Sequence, residues 1–229
     1  MRRRFWSVAA AAALGISLMA APPAFAEGVA VPAEVTDALA GFSGDPQAAV
    51  NTWATWAATA PMEYVRNGNR PKTRSSCAID AAGVANCNDF AQVVGRGNRN
   101  MGMKKISEII TAGKRQYFRD PPLKRWTATR TSSNPNPITG VAARVGYNPW
   151  LPWADQASDI STRVLENGSL EISATNPTPR ETEASRTVAR IAANGLQATL
   201  LEYDDRNRVS ETTRITITQV PQIKVPRAR

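Results

Sequence analysis

Short runs of alternating apolar and polar residues, separated by clusters of Gly, Asn, Asp and Pro, fill most of the chain from Met62 to Val220. A period of two marks a strand with one buried face, so these runs predict the hairpins of an antiparallel sheet. Residues 63–66 lead through Asn67-Gly68-Asn69 into 72–79, and the chain continues through a bend to 88–93. Residues 105–111 turn at Ala112-Gly113 into 115–119, and a further strand at 126–129 follows Asp120-Pro121-Pro122. Residues 160–166 turn at Asn167-Gly168, the strongest short hairpin signal present, into 170–173. Residues 196–203 turn at 204–207 into 208–220.

Other stretches carry helical signals. Residues 33–39 predict a short helix that ends in the breakers Gly41, Ser43 and Gly44. Asp45 offers an N-cap and Pro46 the first helical position of a helix running to about Ala60, with Ala49, Trp53, Trp56 and Ala60 on one face. Thr178-Pro179-Arg180-Glu181 reads as a capping box and Asn194-Gly195 as a stop, which predicts a helix over 178–194 with Ala184, Val188 and Ile191 as its apolar face on the sheet. Residues 131–155 are a long loop whose Trp150 and Trp153 argue against disorder.

The N terminus adds a compartment. Arg2-Arg3-Arg4, the short apolar stretch 8–20 and Ala24-Phe25-Ala26 have the order of a secretory signal, so residues 1–26 are expected to be removed at about Glu27. No Cys stands at that junction, so the product is expected to be unlipidated and soluble, secreted or in the cell envelope. The paired arginines also resemble a twin-arginine signal, and ordinary unfolded export is the favoured route. Stretch 8–20 is short for a membrane span and no later apolar run reaches spanning length.

Taking 26 residues from 229 leaves 203, enough for one domain with a core, and the loss of Arg2, Arg3 and Arg4 lowers the net charge from +9 to +6. That excess suits a protein near anionic phospholipid or wall polymer, and equally a solvated, solubilising surface. Nucleic acid is a poor match for an exported chain without a binding motif. The chain has no His, which removes the commonest general base, the usual Zn ligand and every Ser-His or Cys-His nucleophile. Its only cysteines, Cys77 and Cys87, bracket a bend and are expected to form a disulfide across a hairpin rather than a redox pair.

Candidate chemistry is sparse. Gly95-Arg96-Gly97 with Gly102 matches neither dinucleotide nor P-loop spacing and reads as a flexible turn. Asp204-Asp205 falls at a hairpin tip, where Asp is favoured by its bonds to the turn backbone, and Asp155 and Asp159 flank a loop-to-strand transition. No catalytic group, cofactor or metal site is expected. Between Phe90 and Arg130 basic residues far outnumber Glu108 and Asp120, and Lys104, Lys105, Lys114, Arg115, Lys124 and Arg125 are the candidates for contact with an anionic surface. Alternation along a strand would instead point neighbouring charges opposite ways, which leaves a plain solvated surface as the competing account.

The early amphipathic helix leading into an alternating strand (45–66), the successive hairpins, the run from Ile106 to Tyr117-Phe118-Arg119-Asp120 with Trp126 after it, and a final long hairpin through Asp204-Asp205 resemble the LolA/LppX-like superfamily of lipoprotein carriers. The resemblance implies an α+β fold, a strongly curved antiparallel sheet or incomplete barrel whose concave face is covered by helices and holds an apolar ligand. The chain departs from it in lacking a lipobox Cys, in its internal cysteine pair and in the late position of the helix expected at 178–194. The expected organisation is a signal peptide (1–26), a tail with a short helix (27–44), one curved-sheet domain (45–220) and a basic C-terminal tail (221–229).

The expected function is therefore that of a non-enzymatic carrier or sensor of a lipid-like amphiphile. Trp53, Trp56, Trp150, Trp153, Val188 and Ile191 are the cavity candidates, from apolar patterning and tryptophan placement. The alternative is an envelope interaction protein with a filled core and a basic surface that binds anionic wall polymer or a protein partner. Cavity volume and lining separate the two.

Overall fold

The structure is a computed structural model and describes residues 28–69, 72–95, 100–121, 125–131, 160–175 and 184–227. Two helices, α1 (Ala33–Ala40) and α2 (Pro46–Ala57), precede a run of strands. The first arm of the sheet contains β1 (Met62–Asn69), β2 (Lys72–Ile79), β3 (Ala85–Val94), β4 (Asn100–Ala112), β5 (Arg115–Arg119) and β6 (Thr127–Arg130). The second contains β7 (Ile160–Val164), β8 (Leu170–Thr175), β9 (Arg186–Ile191), β10 (Gln197–Tyr203) and β11 (Val209–Ile217). All belong to one antiparallel sheet in the order β6-β5-β4-β3-β2-β1-β11-β10-β9-β8-β7. Chain neighbours are sheet neighbours within each arm, and the β1–β11 pairing joins the arms. The order is that of an up-and-down meander left open between β6 and β7, the strands that residues 131–159 connect.

The expected helix over 178–194 is a strand over its described part, β9, and its cap at 178–181 lies outside the described residues. Two periodicities compete in this segment. Ala184, Val188 and Ile191 fit a helical stripe, but Thr187, Ala189 and Ile191 also alternate. The β-branched Thr187, Val188 and Ile191 favour the strand, which gains partners in both β8 and β10. The loop 131–155 and the signal at 1–26 also lie outside the described residues, apart from Thr131.

The helix starting at Asp45 forms as its cap requires, with the Asp45 carboxylate accepting from the Ala48 amide at 2.9 Å and Pro46 at the first helical position. It stops at Ala57, three residues before the expected Ala60. Its buried stripe is Val50, Trp53, Ala54 and Ala57, each fully shielded, with Trp56 at the margin. The stripe is thus turned by about one residue from the expected face. The small Ala54 and Ala57 side chains let the helix lie close on its neighbours while Trp53 fills the remaining depth.

Both helices share one core with a single sheet face: Met62, Ile79, Ala85, Leu170, Ile172, Ala189, Ile191, Ala198, Ile215 and Ile217 lie with Val35, Leu39, Phe42 and the α2 stripe. The register explains the membership. Met62 faces Ile79 and Ile217, and Ala198 faces Ile215 and Ile191, so the apolar residues of alternate positions line up across strands. We call this the helix-side face. Gly195, in the β9–β10 turn at φ 69°, closes the core from the side: a Cβ there would meet Leu39 Cδ1 at 3.2 Å and Trp53 Cδ1 at 3.5 Å. The absent side chain lets its carbonyl accept a 2.7 Å hydrogen bond from Trp53 Nε1.

Cys77 and Cys87 are directly opposed in the β2–β3 ladder and form the expected disulfide. Beside it, Asp80 caps the β2–β3 turn with one carboxylate oxygen, which accepts from the Ala82 and Val84 amides, and holds the C-terminal segment with the other, which accepts from the Ile223 amide. Among the described residues no helix is long and apolar enough to cross a membrane.

Candidate functional site

The cavity candidates separate. Trp53 and Ile191 belong to the core and are shielded from solvent, with Trp56 packed against it, whereas Val188 points from β9 to the opposite face beside Leu201 and Ser173. Trp150 and Trp153 lie outside the described residues. Trp53 has its indole N–H fixed on Gly195, so its ring is a structural element of the core.

Away from the helices, the helix-side face turns polar. Asp89 on β3 accepts from Ser75 Oγ and Ser107 Oγ, both at 2.7 Å, across the strands on either side. Tyr64 Oη lies 3.7 Å from Cys87 Sγ, and burial, opposed by Arg66 and reinforced by Asp89, pushes its phenol up to about 12. Arg66 pairs with Glu211, and the neighbouring Glu202 is raised above the usual carboxylate range, first by burial and then by the charge of Glu211. Among the described residues no group of three or more His, Cys, Asp or Glu is placed to hold a metal ion.

The opposite, outer face carries most of the strand cations. Lys72 and Arg74 on β2, Lys105 on β4, Arg115 and Arg119 on β5 and Arg130 on β6 occupy it in the first arm. Arg163, Arg186, Arg190 and Arg214 occupy it in the second, against Glu63, Glu108 and Glu171 in both arms together. Two of those acids are fully engaged. Burial raises Glu108, but hydrogen bonds from Arg119 (2.6 Å) and Lys105 (2.9 Å) outweigh it and hold the carboxyl below its usual value. Glu171, its side chain only 8% exposed, is treated alike by Arg190 and Arg163 at 2.6 and 2.7 Å.

The basic residues expected to meet an anionic surface divide between the faces. Lys104 pairs with Ala91 on the helix-side face, while Lys105, opposite Phe90, and Arg115 are on the outer one. Lys114 is in the β4–β5 turn, Arg125 is exposed before β6, and Lys124 lies outside the described residues. Asp204 closes the β10–β11 turn, where Arg208 and the turn amides hold its carboxyl down to about 2.

A depression of about 430 Å³ crosses the outer face along β1, lined by Glu63, Val65 and Asn67 from β1, Arg74 from β2 and Arg214 and Thr216 from β11, with Tyr64 contributing from the same strand. The alternation along β1 places Glu63, Val65 and Asn67 side by side, but Arg214 and Thr216 join them only through the pairing of Val65 with Arg214 and Glu63 with Thr216. That pairing links residues far apart in sequence, so local pattern singled out none of these side chains.

No family model matches the chain, and no curated protein matches it. Among solved structures, a chain in the complex of Pseudomonas aeruginosa MucA/MucB is similar at 11% identity and a TM-score of 0.34. The match covers 82% of this chain and 56% of that one, so the chain spans little more than half of its neighbour's length. A likeness of this size carries no argument about fold or function.

Proposed function

We propose that the protein is an exported, non-enzymatic interaction protein of the cell envelope, whose outer sheet face holds an anionic polymer. The observation that carries this reading is the segregation of strand charge: the outer face bears nearly all the strand cations, while the helix-side face carries Asp89, Glu202 and Glu211 against Arg66 and Lys104. Such a surface attracts polyanions over roughly a Debye length of about 10 Å at 0.1 M salt. The disulfide suits the oxidising compartment that the N-terminal signal implies. Retention of the mature chain on immobilised dextran sulfate tests the reading. Lys72→Glu with Arg130→Glu should lower the eluting salt concentration, and Lys104→Glu, on the other face, should lower it far less; equal shifts would contradict the assignment.

The carrier reading stands second. It takes the sheet as strongly curved, in the manner of the LolA/LppX-like resemblance, with the helices over a concave face. Ile109 and the exposed Phe118 lie on the helix-side face but outside the main core, where an acyl chain would find them. Saturable change of intrinsic fluorescence on titration with fatty acids and phospholipids supports that reading, and no change removes it.

A further inference from the structure

We propose that the depression along β1 is a binding site for a uronate unit, a saccharide ring carrying a single carboxylate. The inference rests on the reading of the outer face as a polyanion surface and names the chemistry that one part of it selects.

Arg74 and Arg214 flank β1 on its two neighbouring strands, opposite Asn67 and Val65. Among the described residues neither guanidinium has an ion-pair or side-chain hydrogen-bond partner, in contrast to Arg119, Arg163 and Arg190 on the same face, and Glu63 and Asn67 are equally unengaged. Two cations and one carboxylate leave the depression a single positive charge, which matches a monoanion better than a phosphate monoester. By register Arg74 stands beside Asn67 at one end, Arg214 beside Val65 at the middle, and Glu63 with Thr216 at the other end. A ligand with its charge at one end and hydroxyl groups at the other meets donors first and acceptors second. Val65 gives the floor between them an aliphatic patch for a ring face.

The strand itself argues against a peptide ligand. Extended peptides bind by pairing with a free sheet edge, but β1 is paired along its length with β2 and β11, so the depression offers side chains alone. A volume of about 430 Å³ is within the range of small-ligand sites.

Trigalacturonate is the probe, titrated by calorimetry into the mature chain, with maltotriose as the neutral comparison. Saturable binding of trigalacturonate, no binding of maltotriose, and at least tenfold weakening in both Arg74→Gln and Arg214→Gln are expected. Amide shifts on the unaltered protein should concentrate in residues 63–67, 74 and 214–216, a readout independent of whether either variant folds. Shifts centred elsewhere, equal binding of maltotriose, or no binding overturns the site. Dextran sulfate retention separates the two claims: retained protein without trigalacturonate binding removes this site alone, and loss of both removes the polyanion surface as well.

Discussion

Trp53 shows how one residue can be visible in sequence yet ambiguous in role. Its place on an amphipathic helix was legible, but whether it packed or lined a cavity depended on Gly195, whose carbonyl it reaches across 142 positions. We expect Trp53→Ala to cost about 3–5 kcal/mol, and Trp53→Phe about 1–3 kcal/mol because the Gly195 carbonyl loses its donor; urea titrations of both variants check this. Glu202 gives the clearest pH effect. Its carboxyl is raised in the folded state, so the fold bears no penalty below the unfolded value and a growing one as pH rises through the folded value. Glu202→Gln should therefore raise the melting temperature at pH 7, and the gain should vanish at acid pH. Glu171 has the opposite sign: its carboxyl is depressed, so its contribution is present at neutral pH and lost as pH falls. Glu171→Gln should destabilise at pH 7 and converge on the parent protein in acid.

At the scale of elements, hairpins with strong turn chemistry were legible, and the segment with two competing periods was not. The turns at Gly113 and Gly168 fell where their left-handed φ of 56° and 74° requires glycine. Residues 67–69, expected as the β1–β2 turn, are strand, because the ladder continues through Gly68 opposite Thr73 and Asn69 opposite Lys72. In β9 the helical stripe of Ala184, Val188 and Ile191 lost to alternation, since a strand here gains partners on both sides and an isolated helix would have gained one face. The disulfide was legible because two cysteines bracketing one short bend have one obvious use. Cys77→Ser with Cys87→Ser should lower stability by about 2–3 kcal/mol by the chain-entropy argument, leaving strand content by circular dichroism unchanged.

The whole molecule places its main apolar core and most of its strand cations on opposite faces of one sheet, and this separation was the least legible feature. Each strand's alternation was visible, but which alternate set faced the helices depended on pairings between the two arms, such as Met62 with Ile217 and Val65 with Arg214. Adjacent lysines make the point: Lys104 and Lys105 read as one basic patch in sequence and are on opposite faces in the sheet. They also supply the most direct test of the proposed polyanion surface. Lysine acetylation of the protein, read by mass spectrometry with and without polygalacturonate, should show Lys72 and Lys105 protected while Lys104 reacts at an unchanged rate. Equal protection of Lys104 and Lys105, or protection of neither Lys72 nor Lys105, would contradict the account.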